Sequence, residues 1–148
     1  MKACLIIGWR EWVALPDLGI GAIKAKIDTG AATSALHAYK IRIEENPEGT
    51  VAHFCVHPRI RRRRPEILCS APVHDIRTVR SSNGQSEQRI VVKTGLTLGP
   101  YTRPILLTLT NRDEMTFRML IGREALRDRY VVNSAHSYSL NHEDLDNG

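Results

Sequence analysis

A chain of 148 residues with 42% hydrophobic content is the size of one domain and can bury an ordinary core, which excludes a disordered chain. Its three cysteines, Cys4, Cys55 and Cys69, are odd in number and widely spaced, which argues against a disulfide framework and fits a reducing compartment. The net charge of +5 favours polyanionic partners, but aromatic residues are only 5% and no base-stacking motif occurs, so nucleic acid is not an expected partner.

The first apolar run, Ala3 to Ile7, is broken at once by Gly8, Arg10 and Glu11. It is too short for a signal segment or a membrane span, so a cytoplasmic protein with no membrane partner is expected. After the turn signal Pro16-Asp17-Leu18-Gly19, Ile23, Ala25 and Ile27 alternate with Lys24, Lys26 and Asp28, the period of a strand. A second turn falls at Asn46-Pro47-Glu48-Gly49. The segment from His57 to Pro65 has few apolar residues and carries Arg59 and the run Arg61 to Arg64; it reads as a mobile surface loop. Ser82-Asn83-Gly84 marks a hairpin. Gly99-Pro100 and Asn111-Arg112-Asp113 bracket another strand, in which Ile105, Leu107 and Leu109 alternate with Leu106, Thr108 and Thr110. One helix is expected, opening after Gly122 with Arg123-Glu124-Ala125-Leu126-Arg127 and ending before Tyr130-Val131-Val132. These elements predict a mostly β fold of short antiparallel strands closed into a barrel, with one short late helix, over residues 1–140. The polar, acidic stretch 141–148 is expected to be a disordered tail.

Two segments carry chemistry. In Ala25-Lys26-Ile27-Asp28-Thr29-Gly30-Ala31 a strand runs into a turn on a carboxylate, and the glycine lets the backbone turn tightly enough for peptide N–H groups to face that carboxylate. Alone, the triplet also suits an ordinary turn, with Thr33 or Ser34 capping a helical turn. The second segment, Phe117 to Leu126, is an apolar strand that ends in Gly122-Arg123 and passes straight into the helix. In order, spacing and length the pair resembles the retropepsins, which combine an Asp-Thr-Gly-Ala turn with a late apolar-apolar-Gly-Arg stretch. The segment from Thr78 to Gln85 lies where retropepsins carry their flap.

A closer resemblance covers nearly the whole chain. Ile7 to Pro16, Ala25 to Ala31, Thr33 to Ala38, Ser81 to Gly84, Thr110 to Arg112 and Met119 to Arg123 look like the RimB family of retropepsin-like peptidases, whose members have carried an ATP-dependent zinc protease label. The resemblance implies a closed retropepsin-like barrel, a homodimer, and trimming of the poly-glutamate tail that a ligase adds to a ribosomal protein. It carries Asp28 over as the catalytic carboxylate. Only one Asp-Thr-Gly exists, so a dyad requires Asp28 of a second copy.

Residues expected to contact substrate are Thr29, Gly30 and Ala31 of the turn, Ser82, Asn83 and Gly84 of the flap, and Lys26, Arg80 and Arg89, whose charge suits an acidic peptide. Lys26 shares the Asp28 face of its strand, where it would either hold the carboxylate ionised, bind substrate carboxylates or reach outward. No cofactor is expected, and no Gly-rich Lys-Ser/Thr phosphate loop occurs. Two rivals remain at this point. His53, Cys55 and His57, with Cys69 or His74, would form a zinc site; alternatively the barrel is a non-catalytic basic module that binds acidic tails or RNA. Trp9, Trp12 and Phe117 are expected to mark core or dimer contacts only.

Overall fold

The computed structural model describes residues 4–60, 62–80, 84–112 and 115–140, apart from the side chains of 79 and 80. Its strands are β1 (Leu5–Ile7), β2 (Arg10–Leu15), β3 (Ile20–Asp28), β4 (Ser34–His37), β5 (Tyr39–Asn46), β6 (Gly49–Val56), β7 (Ile67–Arg80), β8 (Ser86–Leu98), β9 (Tyr101–Thr110), β10 (Met119–Gly122) and β11 (Tyr130–Val132). A 3-10 turn follows β2 at Pro16–Leu18, and the short helix α1 (Arg123–Leu126) follows β10 directly. The mostly β fold with one late helix is therefore observed.

Six strands close a ring in the order β2, β3, β10, β4, β9, β8, and β7, β6 and β5 extend outward from β8. Closure leaves no edge among the six ring strands, and the outer edge of the extension is β5. The alternation along the strands sets the core: Ile23, Ala25 and Ile27 of β3 and Ile105, Leu107 and Leu109 of β9 all point inward and are buried. They meet Leu36, Leu96, Leu98, Met119 and Ile121 from the other walls.

Two features depart from the expectation of short antiparallel strands. Three pairings are parallel: β1 with β11, β3 with β10 and β4 with β9. In addition, β7 has 14 residues and β8 has 13, because β7 serves β6 and then β8, while β8 serves β7, β9 and β2. The first half of β7 pairs with β6 and the second with β8, across a register shift between Val73 and Asp75. Likewise β8 forms the projecting hairpin with β7 through Ser86 to Val92, then reaches β2 at Thr97, opposite Ala14, to close the ring. The tryptophans are not core. Trp9 meets Phe117 edge-on and Trp12 lies against Tyr138, all half-buried. No helix among the described residues is long and apolar enough to cross a membrane.

Sequence reasoning missed one core residue. Glu11 alternates in phase with Val13 and Leu15 and is 0% exposed. Its Oε2 accepts from the backbone N–H of Gly8 at 2.7 Å and of Ser139 at 2.8 Å, and Oε1 accepts from Leu140 at 3.2 Å. A buried carboxylate persists only where donors meet its lone pairs, and these donors come from both ends of the fold. The final segment thus passes over Gly8, where a Cβ would lie 2.3 Å from the His136 carbonyl oxygen. Glu11→Ala should leave the buried Gly8 N–H and the less buried N–H groups of Ser139 and Leu140 without their acceptor and lower stability by about 3 kcal/mol. Urea unfolding measures this, and an unchanged midpoint would mean that the last segment is held by its other contacts.

Candidate active site

The Asp-Thr-Gly turn is held from below by β10. Asp28 ends β3 beside Gly122, its parallel partner, so the two motif segments become neighbours in space. The half-buried Asp28 carboxylate accepts from the Gly30 N–H at 3.2 Å through Oδ1. Among the described residues no other hydrogen bond reaches that carboxylate. Thr29 and Gly30 are exposed, and Ala31 N donates to the Asp28 carbonyl at 3.2 Å to close the turn.

Four donors then fix the turn to α1 and β10. Arg123 N donates to the Ala31 carbonyl at 2.8 Å and Glu124 N to that of Ala32 at 3.1 Å. The Arg123 guanidinium donates from Nη1 to the Gly30 carbonyl at 3.1 Å and more weakly to that of Thr29 at 3.5 Å. Gly122 N donates to the buried Ser34 Oγ at 3.1 Å. Ser34 therefore opens β4 and braces the turn, instead of capping a helical turn. Such contact demands close approach: a Cβ on Gly122 would lie 2.7 Å from the carbonyl carbon and oxygen of Thr33 and 2.8 Å from the Ala32 oxygen.

A cleft of about 380 Å³ begins at Thr33, Ser34 and Ala35, immediately after the turn, and runs beneath the β7–β8 hairpin. Sheet register explains its floor. Leu120, Ala35, Thr108 and Val91 are successive partners across β10, β4, β9 and β8, and Lys26 and Asp75 continue the row at its two ends. Arg77, Arg89 and Arg112 line the rim. Arg77 and Arg89 are directly opposed on β7 and β8. Arg77 Nε donates to Asp75 Oδ2 at 2.7 Å, and that bond holds the Asp75 carboxyl below its ordinary range. Arg112 is positioned through its backbone, whose N–H donates to Nδ1 of the buried His37 at 3.1 Å.

Of the residues expected from sequence, Asp28, Thr29, Gly30 and Ala31 form the turn, and Arg89 lines the cleft. Lys26 is exposed on the Asp28 face of β3, in the row that floors the cleft, and makes no ion pair with Asp28. Gly84 is at φ +85°, a left-handed conformation suited to glycine. Ser82 and Asn83 lie outside the described residues. Arg80 pairs with Ser86 through its backbone, and its side chain also lies outside them. The basic loop between β6 and β7 leads into the start of β7, where Glu66 accepts from the Tyr39 hydroxyl and meets Lys40, and none of its described residues lines the cleft. Sequence reasoning missed Ser34 as a brace, and Arg77 and Arg112 on the rim; Arg77 is set opposite Arg89 only by the observed hairpin register.

The residues of the zinc alternative are engaged separately. His53 Nε2 meets Glu44 at 2.9 Å, and His57 stacks on Tyr39 with ring centroids 4.6 Å apart. Cys69 sits on the opposite face of β7 from that histidine pair's side of β6, donates to the Leu18 carbonyl at 3.4 Å, and burial, with Cys55 nearby, pushes its thiol up to about 11. Among the described residues no three His, Cys, Asp or Glu side chains gather as a metal site.

A family model, RimB-like, described as retropepsin-like aspartic endopeptidase RimB, matches residues 6–143. The chain is 46% identical over 135 residues to a probable alpha-L-glutamate ligase of Desulfotalea psychrophila, covering 91% of this chain and 29% of that protein. It is also 46% identical over 140 residues to a protein of the same name from Parasynechococcus marenigrum, covering 95% of this chain and 30% of that one. The chain thus spans less than a third of these relatives. A crystal structure of a protein of unknown function from Legionella pneumophila superposes with a TM-score of 0.79 at 26% identity, over 94% of this chain and 100% of that one.

Proposed function

The chain belongs to the RimB-like family of retropepsin-like barrels, and from that premise we propose that it is an aspartic-type peptidase of the cytoplasm, active as a homodimer in which each subunit contributes Asp28, and that it shortens glutamate tails on a ribosomal protein. The observation that carries this reading is the carboxylate held at the end of β3 in a turn fixed by Gly122, Arg123 and Ser34. One such turn per chain supplies half of a dyad. The exposure of Thr29 and Gly30, and of Ile6 and Val131 at 59% and 52% on the small β1–β11 sheet, is consistent with surfaces that a second copy covers.

In the dimer the two carboxylates share one proton, because ionising both at close range is costly. The ionised Asp28 removes a proton from water, whose oxygen bonds to the substrate carbonyl carbon. Asp28 of the partner subunit gives its proton to the carbonyl oxygen. The resulting diol then collapses, the C–N bond breaks, and the amine leaves with a proton. The glutamate substrate draws its support from the ligase name of the longer relatives and from the arginines beside the turn. Mass spectrometry of a poly-glutamate-tailed protein, incubated with wild type and with Asp28→Asn, tests both halves of the proposal.

The same basic cleft favours a second reading, a non-catalytic module that holds acidic tails. Tail binding without shortening by wild type would select it.

Arg123 acts through the turn and not on the substrate. Arg123→Ala should lower kcat on the order of tenfold with KM little changed, since it loosens the carbonyls of Thr29 and Gly30 without touching the cleft. Arg123→Lys, which keeps one donor, should recover part of the loss. Steady-state kinetics at matched dimer concentration would show this, and wild-type kcat in Arg123→Ala would mean that the turn needs no brace.

A further inference from the structure

We infer that the rim of the cleft is a subsite for a single substrate carboxylate, formed by Arg89 and Arg112 and tuned by the Arg77–Asp75 pair; this rests on the peptidase reading of the adjacent turn. Arg77 and Arg89 face each other across β7 and β8, and like charges directly opposed on two strands are destabilising. The fold relieves one of the two, since Arg77 donates to Asp75 at 2.7 Å. Arg89 is half-buried and, like Arg112, meets no carboxylate within 4 Å among the described residues. Among the described residues the unpaired charge of this pocket therefore lies on Arg89 and Arg112, and the pocket also takes in Thr33, Ser34 and Ala35, which follow the Asp28 turn in the chain.

Position and size decide what this pocket takes. Its wall begins five residues after Asp28, and its floor is made by Leu120, Ala35, Thr108 and Val91, apolar or methyl-bearing groups without a charge. A chain laid across the turn would place a neighbouring side chain in this space, its methylenes against the floor and its end group at the rim. A glutamate side chain has both parts, and guanidinium groups bind carboxylates through paired N–H donors. The subsite thereby discriminates glutamate from glutamine, which leaves two cations unneutralised.

The test compares two peptides that differ only by Glu or Gln at each position around the cleaved bond, and measures binding of hexaglutamate to the intact protein. Arg89→Gln should lower kcat/KM for the Glu peptide by tenfold to a hundredfold, with the Gln peptide unaffected, and Arg112→Gln should act in the same direction. Arg77→Gln should cost less than either, because Asp75 already engages that side chain. Arg89→Lys and a urea midpoint for each variant separate lost recognition from lost folding. Cleavage by wild type with a Glu preference that survives in Arg89→Gln and Arg112→Gln would overturn the subsite and leave the peptidase standing. If wild type cleaves neither peptide, hexaglutamate decides: binding that falls with Arg89→Gln retains the subsite while the peptidase reading fails, and binding indifferent to both arginines overturns the subsite.

Discussion

Asp28→Asn should reduce peptide hydrolysis by at least a thousandfold while leaving the fold intact and the affinity for an acidic peptide undiminished. General acid–base catalysis contributes about two to four orders of magnitude per positioned group, and in a homodimer one substitution removes both carboxylates. Asparagine has nearly the same shape, and its Oδ1 can still accept from the Gly30 N–H that holds Asp28 at 3.2 Å, so the turn should survive. Because a shared-proton dyad carries a net negative charge, its removal should strengthen, and not weaken, the binding of a poly-glutamate tail. The checks are tail length by mass spectrometry and tail affinity by calorimetry on the same preparation. Equal shortening by wild type and variant would remove Asp28 as the catalyst; loss of both cleavage and binding would point to a collapsed turn.

Gly122→Ala carries the second large effect, through packing alone. Gly122 has φ −82°, which any residue adopts, so no backbone strain arises from the substitution. What resists is the added methyl, which would stand 2.7 Å from the Thr33 carbonyl and 2.8 Å from that of Ala32. These are backbone atoms and cannot swing aside as a side chain would. The turn must move outward, stretching the Gly122 bond to Ser34 and the Arg123 bond to Ala31, both of which position Asp28. We expect a stability loss of about 2–3 kcal/mol and a fall in activity on the order of a hundredfold. Gly21→Ala is the control, since nothing lies within 4 Å of a Cβ there. Urea unfolding and turnover, measured together on the two variants, should show one damaged protein and one ordinary one; a normal Gly122→Ala would mean that the turn is more compliant than its contacts suggest.

Much of this arrangement was legible because it depends on local pattern. Ile23, Ala25 and Ile27, and Ile105, Leu107 and Leu109, alternate in sequence and line the core as alternation requires. The Asp28 turn and the Gly122–Arg123 step were visible as a strand end and a strand-to-helix junction. What sequence does not carry is the partner of each strand. The successive partners of β7 and β8 and the parallel ladders β3–β10 and β4–β9 belong to the closed ring and its extension, and β1 finds β11 from the far end of the chain. Glu11 stands in the inward phase of β2, yet a carboxylate reads as solvent-facing until its donors at Ser139 and Leu140, 128 and 129 residues away, are known. The flap shows how finely the rest depends on register. A two-residue turn centred on Asn83 and Gly84 would set Arg77 opposite Ile90; the observed pairing of Arg80 with Ser86 sets it opposite Arg89, and only this offset of one residue brings both guanidiniums to the cleft.

The carboxylate of Glu11 also has a meaning for the domain as a unit of exchange. Because it ties Gly8 to Ser139 and Leu140, and because Leu5 and Leu140 both flank Gly99, the polypeptide enters and leaves the barrel at one corner. A domain with adjoining ends can be joined to other sequence, or set within it, without pulling on its strands. That geometry suits a portable unit, and it accords with relatives in which the matching segment is 29% or 30% of a longer protein.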